Sequence, residues 1–122
     1  MLNFQWPIKG KIKKNFFQTN RKGIDIVGKI GQAVRASEAG KVVYCGQGII
    51  GFGHTIVIKH NDMYLSAYAN NSRLLVQEGD YVKKGQNIAQ AGISVSKTAM
   101  LHFEIRKKGK SVDPLTLLPK ND

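Results

Sequence analysis

Glycine recurs along the whole of this chain, thirteen times in 122 residues. Between the glycines lie short segments rich in Val, Ile, Tyr and Phe that alternate apolar and polar side chains. A period of two is the signature of a strand with one buried face, and glycine at such intervals interrupts helices and opens turns. The pattern predicts an all-β domain whose core is an antiparallel sheet of many short strands. The clearest runs are Lys41 to Cys45, Thr55 to His60, Met63 to Asn70, Asn87 to Ala91 and Met100 to Lys107. Turn signals separate them at Gly46-Gln47-Gly48, Asn61-Asp62, Glu78-Gly79-Asp80, Lys84-Gly85-Gln86 and Lys108-Gly109.

No segment carries a 3.6-residue apolar stripe of the ~10 residues a core helix needs, so helix is expected to be scarce. The tail, from Ser111-Val112-Asp113-Pro114 onward, reads as an extended Pro-containing stretch. With 42% hydrophobic residues the chain has enough apolar side chain for one core and too little length for two. One domain is expected over residues 4–119, with residues 1–3 and 120–122 as flexible ends. The chain opens on Phe4-Gln5-Trp6-Pro7 with no charged-then-apolar leader, the pattern of a domain cut from a longer protein. No stretch approaches the ~20 apolar residues of a membrane span.

Alternation also assigns faces. Around His102, the residues Leu101, Phe103 and Ile105 point to the core, and Met100, His102, Glu104 and Arg106 point away from it. By the same rule Ile24 and Ile26 oppose Asp25 and Val27. Leu65, Ala67 and Ala69 are read as the core side of their strand, opposite Tyr64, Ser66, Tyr68 and Asn70.

Lys and Arg number 19 against 8 Asp and Glu, a formal charge of +11. Such a surface suits an anionic partner. The cations are scattered through turns and strands, with no basic helix and no RNA-binding signature, which argues against a nucleic-acid partner. Lysines on edge strands also discourage edge-to-edge aggregation. Cys45, the only cysteine, permits no intramolecular disulfide and reads as a small buried thiol in the run Val42-Val43-Tyr44-Cys45.

The motifs then form a recognisable series. They run from Trp6-Pro7-Ile8-x-Gly10 through Lys22-Gly23-Ile24-Asp25-Ile26, Ala39-Gly40-Lys41-Val42-Val43-Tyr44, Gly51-x-Gly53-x-x-Ile56-Val57-Ile58-Lys59-His60 and Tyr64-Leu65-Ser66-Ala67-Tyr68-Ala69. The series continues in Val82-Lys83-Lys84-Gly85-Gln86-x-Ile88-Ala89 and Leu101-His102-Phe103-Glu104-Ile105-Arg106. Over nearly its full length the chain resembles the LytM-type, lysostaphin-like zinc peptidases, and within them the NlpD-like amidase activators of Gram-negative envelopes. The stretch Glu78 to Ala89 is also similar to half of a biotinyl or lipoyl carrier domain, but the modified lysine signature of those carriers is missing.

What the resemblance implies for chemistry is a loss. Active members hold zinc with a His-x-x-x-Asp pair and the second His of a His-x-His strand; the first His of that strand and a His after Tyr-Ala are catalytic. The matching positions here are Arg21, Asp25, His102, Met100 and Asn70. Catalytic zinc takes three protein ligands plus water, and guanidinium offers no lone pair, so no metal and no cofactor is expected. Arg21 is expected to pair with Asp25 across the old metal position. The structural reading of His54 and His60 is preferred to a rescued metal site.

The resemblance therefore implies a non-catalytic domain that activates a cell-wall N-acetylmuramoyl-L-alanine amidase in septal peptidoglycan splitting. Its implied location is the periplasm, with outer-membrane anchoring of the full-length protein. The expected contact surface is the vacated groove, formed by Arg21, Asp25, Tyr68, Asn70, Met100, His102 and Arg106. A peptidoglycan-binding module is the alternative, and a residual zinc endopeptidase is disfavoured by the missing ligands.

Overall fold

The computed structural model describes residues 2–47, 53–93 and 97–120. The expected flexible ends at residues 1, 121 and 122 lie outside the described residues, as do Gly48 of the first turn signal and Gly51 of the glycine motif. Among the described residues there are ten strands: β1 (Ile12–Lys14), β2 (Ile24–Val27), β3 (Ala33–Arg35), β4 (Gly40–Gly46), β5 (His54–Lys59), β6 (Tyr64–Leu74), β7 (Tyr81–Val82), β8 (Asn87–Ile93), β9 (Ala99–Lys107) and β10 (Lys110–Val112). They form one sheet in the order β1-β2-β9-β8-β6-β5-β4-β7, with β10 on β9 and β3 on β8. The ladders that build the site, β2 with β9, β9 with β6, β6 with β5 and β5 with β4, are all antiparallel.

The position of the site follows from how β6 and β9 share neighbours. The first part of β6 pairs with β9 from Tyr64↔Lys107 to Ala69↔His102, and the part from Asn71 onward pairs with β8. Asn70 stands at the change with φ 71°, a left-handed conformation that asparagine tolerates better than most residues. Its amide donates to Met100 O at 2.7 Å, tying the corner of β6 to β9. Gly92 permits this crossing: a Cβ there would lie 2.9 Å from Asn70 O and 2.8 Å from Ser72 N.

The core lies on the face opposite the site. Leu101, Phe103 and Ile105 of β9, Ile24 and Ile26 of β2, and Ile56 and Ile58 of β5 are all fully buried. Each such side chain contributes roughly 1.5–3 kcal/mol relative to exposure, before the conformational entropy of ordering the chain is subtracted. Phe4 closes one end of the core, its ring edge-on to His60 and Tyr64 with centroids 5.4 and 5.6 Å away. Trp6 Nε1 donates to Pro119 O at 2.9 Å, joining the first segment to the last.

Three expectations are corrected. On β6 the faces are reversed: Tyr68 is fully buried and packs on Phe103, with ring centroids 5.4 Å apart, whereas Ala67 and Ala69 look into the groove. Directly paired residues share a face, and the register sets Tyr68 opposite Phe103 and Ala69 opposite His102. Alternation alone could not choose, because both faces of β6 carry apolar side chains. The tail is not simply extended, since Pro114–Thr116 forms a 3-10 turn capped by Asp113, whose side chain accepts from Leu115 N. Cys45 is half-buried rather than buried and donates to Val76 O; burial, then the charges of Asp80 and Glu78, push its thiol pKa up.

Candidate functional site

Opposite the core, β2, β9, β6 and β5 present a shared face whose rows follow from the ladders. Asp25, His102 and Ala69 form one row, Glu104, Ala67 and Val57 the next, and Arg106, Leu65 and Lys59 the third. A groove of about 500 Å³ lies over this face, with Thr55, Val57, Leu65, Ala67 and Ala69 as a largely apolar floor and Lys22 and Arg106 among its walls. β2 reaches it because Gly23 lies flat against β9. A Cβ on Gly23 would sit 2.3 Å from Phe103 O.

His102 is held at both ring nitrogens. Nδ1 is 2.6 Å from Asp25 Oδ1 and Nε2 is 2.8 Å from Glu104 Oε2. Glu104 in turn receives Arg106, whose Nε and an Nη donate to Oε1 at 3.1 and 2.9 Å. A carboxylate can only accept, so satisfying both contacts requires a proton on each imidazole nitrogen, the imidazolium form. Burial opposes that charge, but the hydrogen bonds and charges of Asp25 and Glu104 outweigh it and raise the His102 pKa to about 9. Burial likewise opposes ionisation of Glu104, and the bonds from His102 and Arg106 overcome it and hold its pKa below the usual carboxylate value. The result is a chain of alternating charge, Asp25, His102, Glu104, Arg106, lying along the groove.

Arg21 does not take part in this chain. The expected Arg21 to Asp25 pair is replaced by the Asp25 to His102 bond. Arg21 lies exposed in a turn with φ 60°, its guanidinium carbon 5.8 Å from the ring centroid of Phe17. Asn20 and Arg21 are two consecutive left-handed residues there. The cation beside Asp25 is thus the imidazolium of His102.

Of the other expected groove residues, Asn70 and Met100 lie half-buried at the β6–β9 corner, and Arg106 stands on the groove wall with its side chain 45% exposed. Tyr68 is removed from the site. Its hydroxyl accepts from Ser37 N at 2.9 Å and lies 2.6 Å from Ser66 Oγ, which is 2.7 Å from His60 Nε2. His60 Nδ1 faces Ala39 O at 2.7 Å. A carbonyl only accepts, so Nδ1 carries the proton, and in the neutral ring Nε2 accepts from Ser66. This is a buried structural chain, consistent with the structural reading of His60. Glu104 is the member that sequence reasoning assigned to the right face and left out of the site. The spacing His102-x-Glu104, two residues apart on one strand face, was the signal for it.

The donor set does not fit a catalytic zinc ion, which needs three protein ligands and an open position. Both imidazole nitrogens of His102 are engaged by carboxylates, and Arg21 offers no lone pair. Among the described residues no group of three or more His, Cys, Asp and Glu side chains is arranged to hold one metal ion.

Comparison with known proteins places the chain in a family. The chain is 52% identical over 120 residues to the outer membrane antigenic lipoprotein B of Haemophilus influenzae, a match covering 97% of this chain and 30% of that protein. It is 50% identical over 119 residues to the murein hydrolase activator NlpD of Escherichia coli, covering 96% of this chain and 31% of that one. The chain thus spans about a third of the length of these curated relatives. Among solved structures, a zinc-containing peptidase from Vibrio cholerae superposes with a TM-score of 0.84 at 29% identity, covering 99% of this chain and 40% of that one. Residues 19–114 match the model of peptidase family M23, and with the fold in agreement, the chain belongs to peptidase family M23.

Proposed function

We propose that this domain is a non-catalytic M23 module that activates a cell-wall hydrolase, an N-acetylmuramoyl-L-alanine amidase, by binding it through the groove over β5, β6 and β9. The observation that carries the reading is the capture of both His102 ring nitrogens by Asp25 and Glu104, which leaves no free imidazole donor at the position where the family binds metal. Arg21 in place of a ligand, and Asn70 and Met100 in place of catalytic imidazoles, point the same way. Relatives at 50–52% identity bear the names murein hydrolase activator and outer membrane lipoprotein, which support an activating role and a place in the cell envelope.

Activation of this kind requires that the domain bind the open form of the hydrolase better than its closed form; equal affinity for both would shift nothing. An apolar floor with charged walls suits that task, since Arg is enriched among interface anchors. The test is release of soluble fragments from purified murein by the amidase with and without this domain, alongside elemental analysis. Amidase-dependent stimulation, with no cleavage by the domain alone and no stoichiometric zinc, is the expected result. Chelator-sensitive murein cleavage by the domain alone would overturn it.

A further inference from the structure

The lining of the groove stops at Arg106 and Leu65 in its last row. The ladders continue its last row across the sheet: Arg106 pairs with Leu65, Leu65 with Lys59, Lys59 with Lys41, and Lys41 with Tyr81. Residues paired directly across antiparallel strands share a face, so these five side chains stand in one line on the groove side of the sheet. Four strand spacings separate the ends of the line, about 19 Å.

This row has two unusual properties. Lys41 and Lys59 are directly opposite one another, and like charges so placed destabilise a sheet. Edge protection does not explain them, because β5 lies between β4 and β6, and β4 between β5 and β7. The charges are also available. The Lys59 side chain is half exposed and its ion pair, with Asp62, spans 3.9 Å to a fully exposed carboxylate; Lys41 Nζ lies 5.7 Å from the ring centroid of Tyr81, itself 79% exposed. An anion bridging the two ammonium groups would remove their repulsion; Leu65 is paired directly with Lys59, and Val57 and Ala67 form the next row on the same face.

We propose that the row Tyr81, Lys41, Lys59, Leu65 and Arg106 is a docking track for an acidic segment of the hydrolase, with at least two carboxylates set on the lysines and apolar side chains on Val57 and Leu65. The proposal rests on the activator reading and extends its contact surface beyond the groove to β4 and β7. Charge complementarity identifies the occupant as anionic, and the apolar floor beside the row favours a protein segment over a polar wall polymer. Such a contact weakens as salt screens it.

The experiment measures binding of the purified N-acetylmuramoyl-L-alanine amidases of the host bacterium to the domain, in the absence of murein and at two salt concentrations, and separately pulldown of the domain by isolated murein. The variants are Lys41→Glu with Lys59→Glu, the neutral pair Lys41→Gln with Lys59→Gln, and a control of equal charge change off the row, Lys9→Glu with Lys29→Glu, each checked for an unchanged melt. The expected result is a loss of amidase affinity of about 30-fold or more for the reversed pair, a smaller loss with a shallower salt dependence for the neutral pair, and little change for the control. Should the reversed pair fail to fold, the neutral pair decides alone. Equal effects of row and control variants, or loss of murein pulldown with amidase binding intact, would overturn the track while leaving the activator reading standing. Failure of the parent domain to bind any of the amidases would overturn both.

Discussion

His102 and Asp25 lie on neighbouring strands, β9 and β2, in direct register, and their side chains meet at 2.6 Å on the groove side of the sheet. The same ring is closed from the other side by Glu104, whose Oε2 lies 2.8 Å from Nε2. The ring sits between two carboxylates as a cation. That arrangement couples the domain's stability to the proton on His102.

The thermal melt is therefore expected to be the same with added zinc and with a chelator. Arg21→His should not create tight zinc binding, because the new imidazole would find Asp25 and His102 already bonded to one another and would start from an exposed turn. Elemental analysis of Arg21→His after dialysis against zinc checks this, with less than about one-tenth of the single equivalent of a real site expected.

His102 should titrate in the folded domain near pH 9, against 6.5 when unfolded. Its raised pKa means that the folded state holds the proton more tightly, so its contribution is complete below pH 6.5 and is lost as pH rises to about 9. Glu104 has the opposite sign, its lowered pKa giving stability that is present above its unfolded value of 4.5 and lost as pH falls below it. NMR titration of the imidazole checks the first statement directly. His102→Ala, which leaves Asp25 buried without its cation and Glu104 with Arg106 alone, is expected to cost about 3 kcal/mol in denaturant unfolding.

Tyr68→Phe separates a core role from a surface role. It removes the hydroxyl that accepts from Ser37 N and bonds Ser66, stranding a buried N–H at a cost of about 1–3 kcal/mol. Amidase activation below the melting range should be unchanged. Loss of activation with an unchanged melt would return Tyr68 to the groove.

His60 should destabilise the fold in mild acid. Burial lowers its pKa from 6.5, outweighing the Ala39 bond and the charge of Glu38, so the unfolded chain takes up a proton before the folded one does. Stability is accordingly lost as pH falls from 6.5 toward the lower folded value. Protonation would also put a hydrogen on Nε2, facing the Ser66 hydroxyl that donates to it, and so reverse the chain to Tyr68. His60→Gln keeps one donor and one acceptor without the titration. Its melting temperature should depend less on pH below 6.5 than that of the parent, a change that a plot of melt against pH would show.

What the sequence determined by itself was whatever depends on near neighbours in the chain. The alternation around Leu101, Phe103 and Ile105 fixed which face of β9 is buried, because the apolar residues there fall on one side only. Glycine spacing marked the turns. The short strands β1, β7 and β10 carried too few residues for a period to register. The tertiary structure decided the rest, because each remaining question turned on register between distant segments. Leu65 and Tyr68 are both plausible core residues until pairing sets Tyr68 beside Phe103. Arg21 is four residues from Asp25 and looked like its partner, yet His102, 77 residues away, reaches it because β2 and β9 are adjacent. A strand's face follows from local pattern only when its two sides differ, and a charge finds its partner through the sheet, not along the chain.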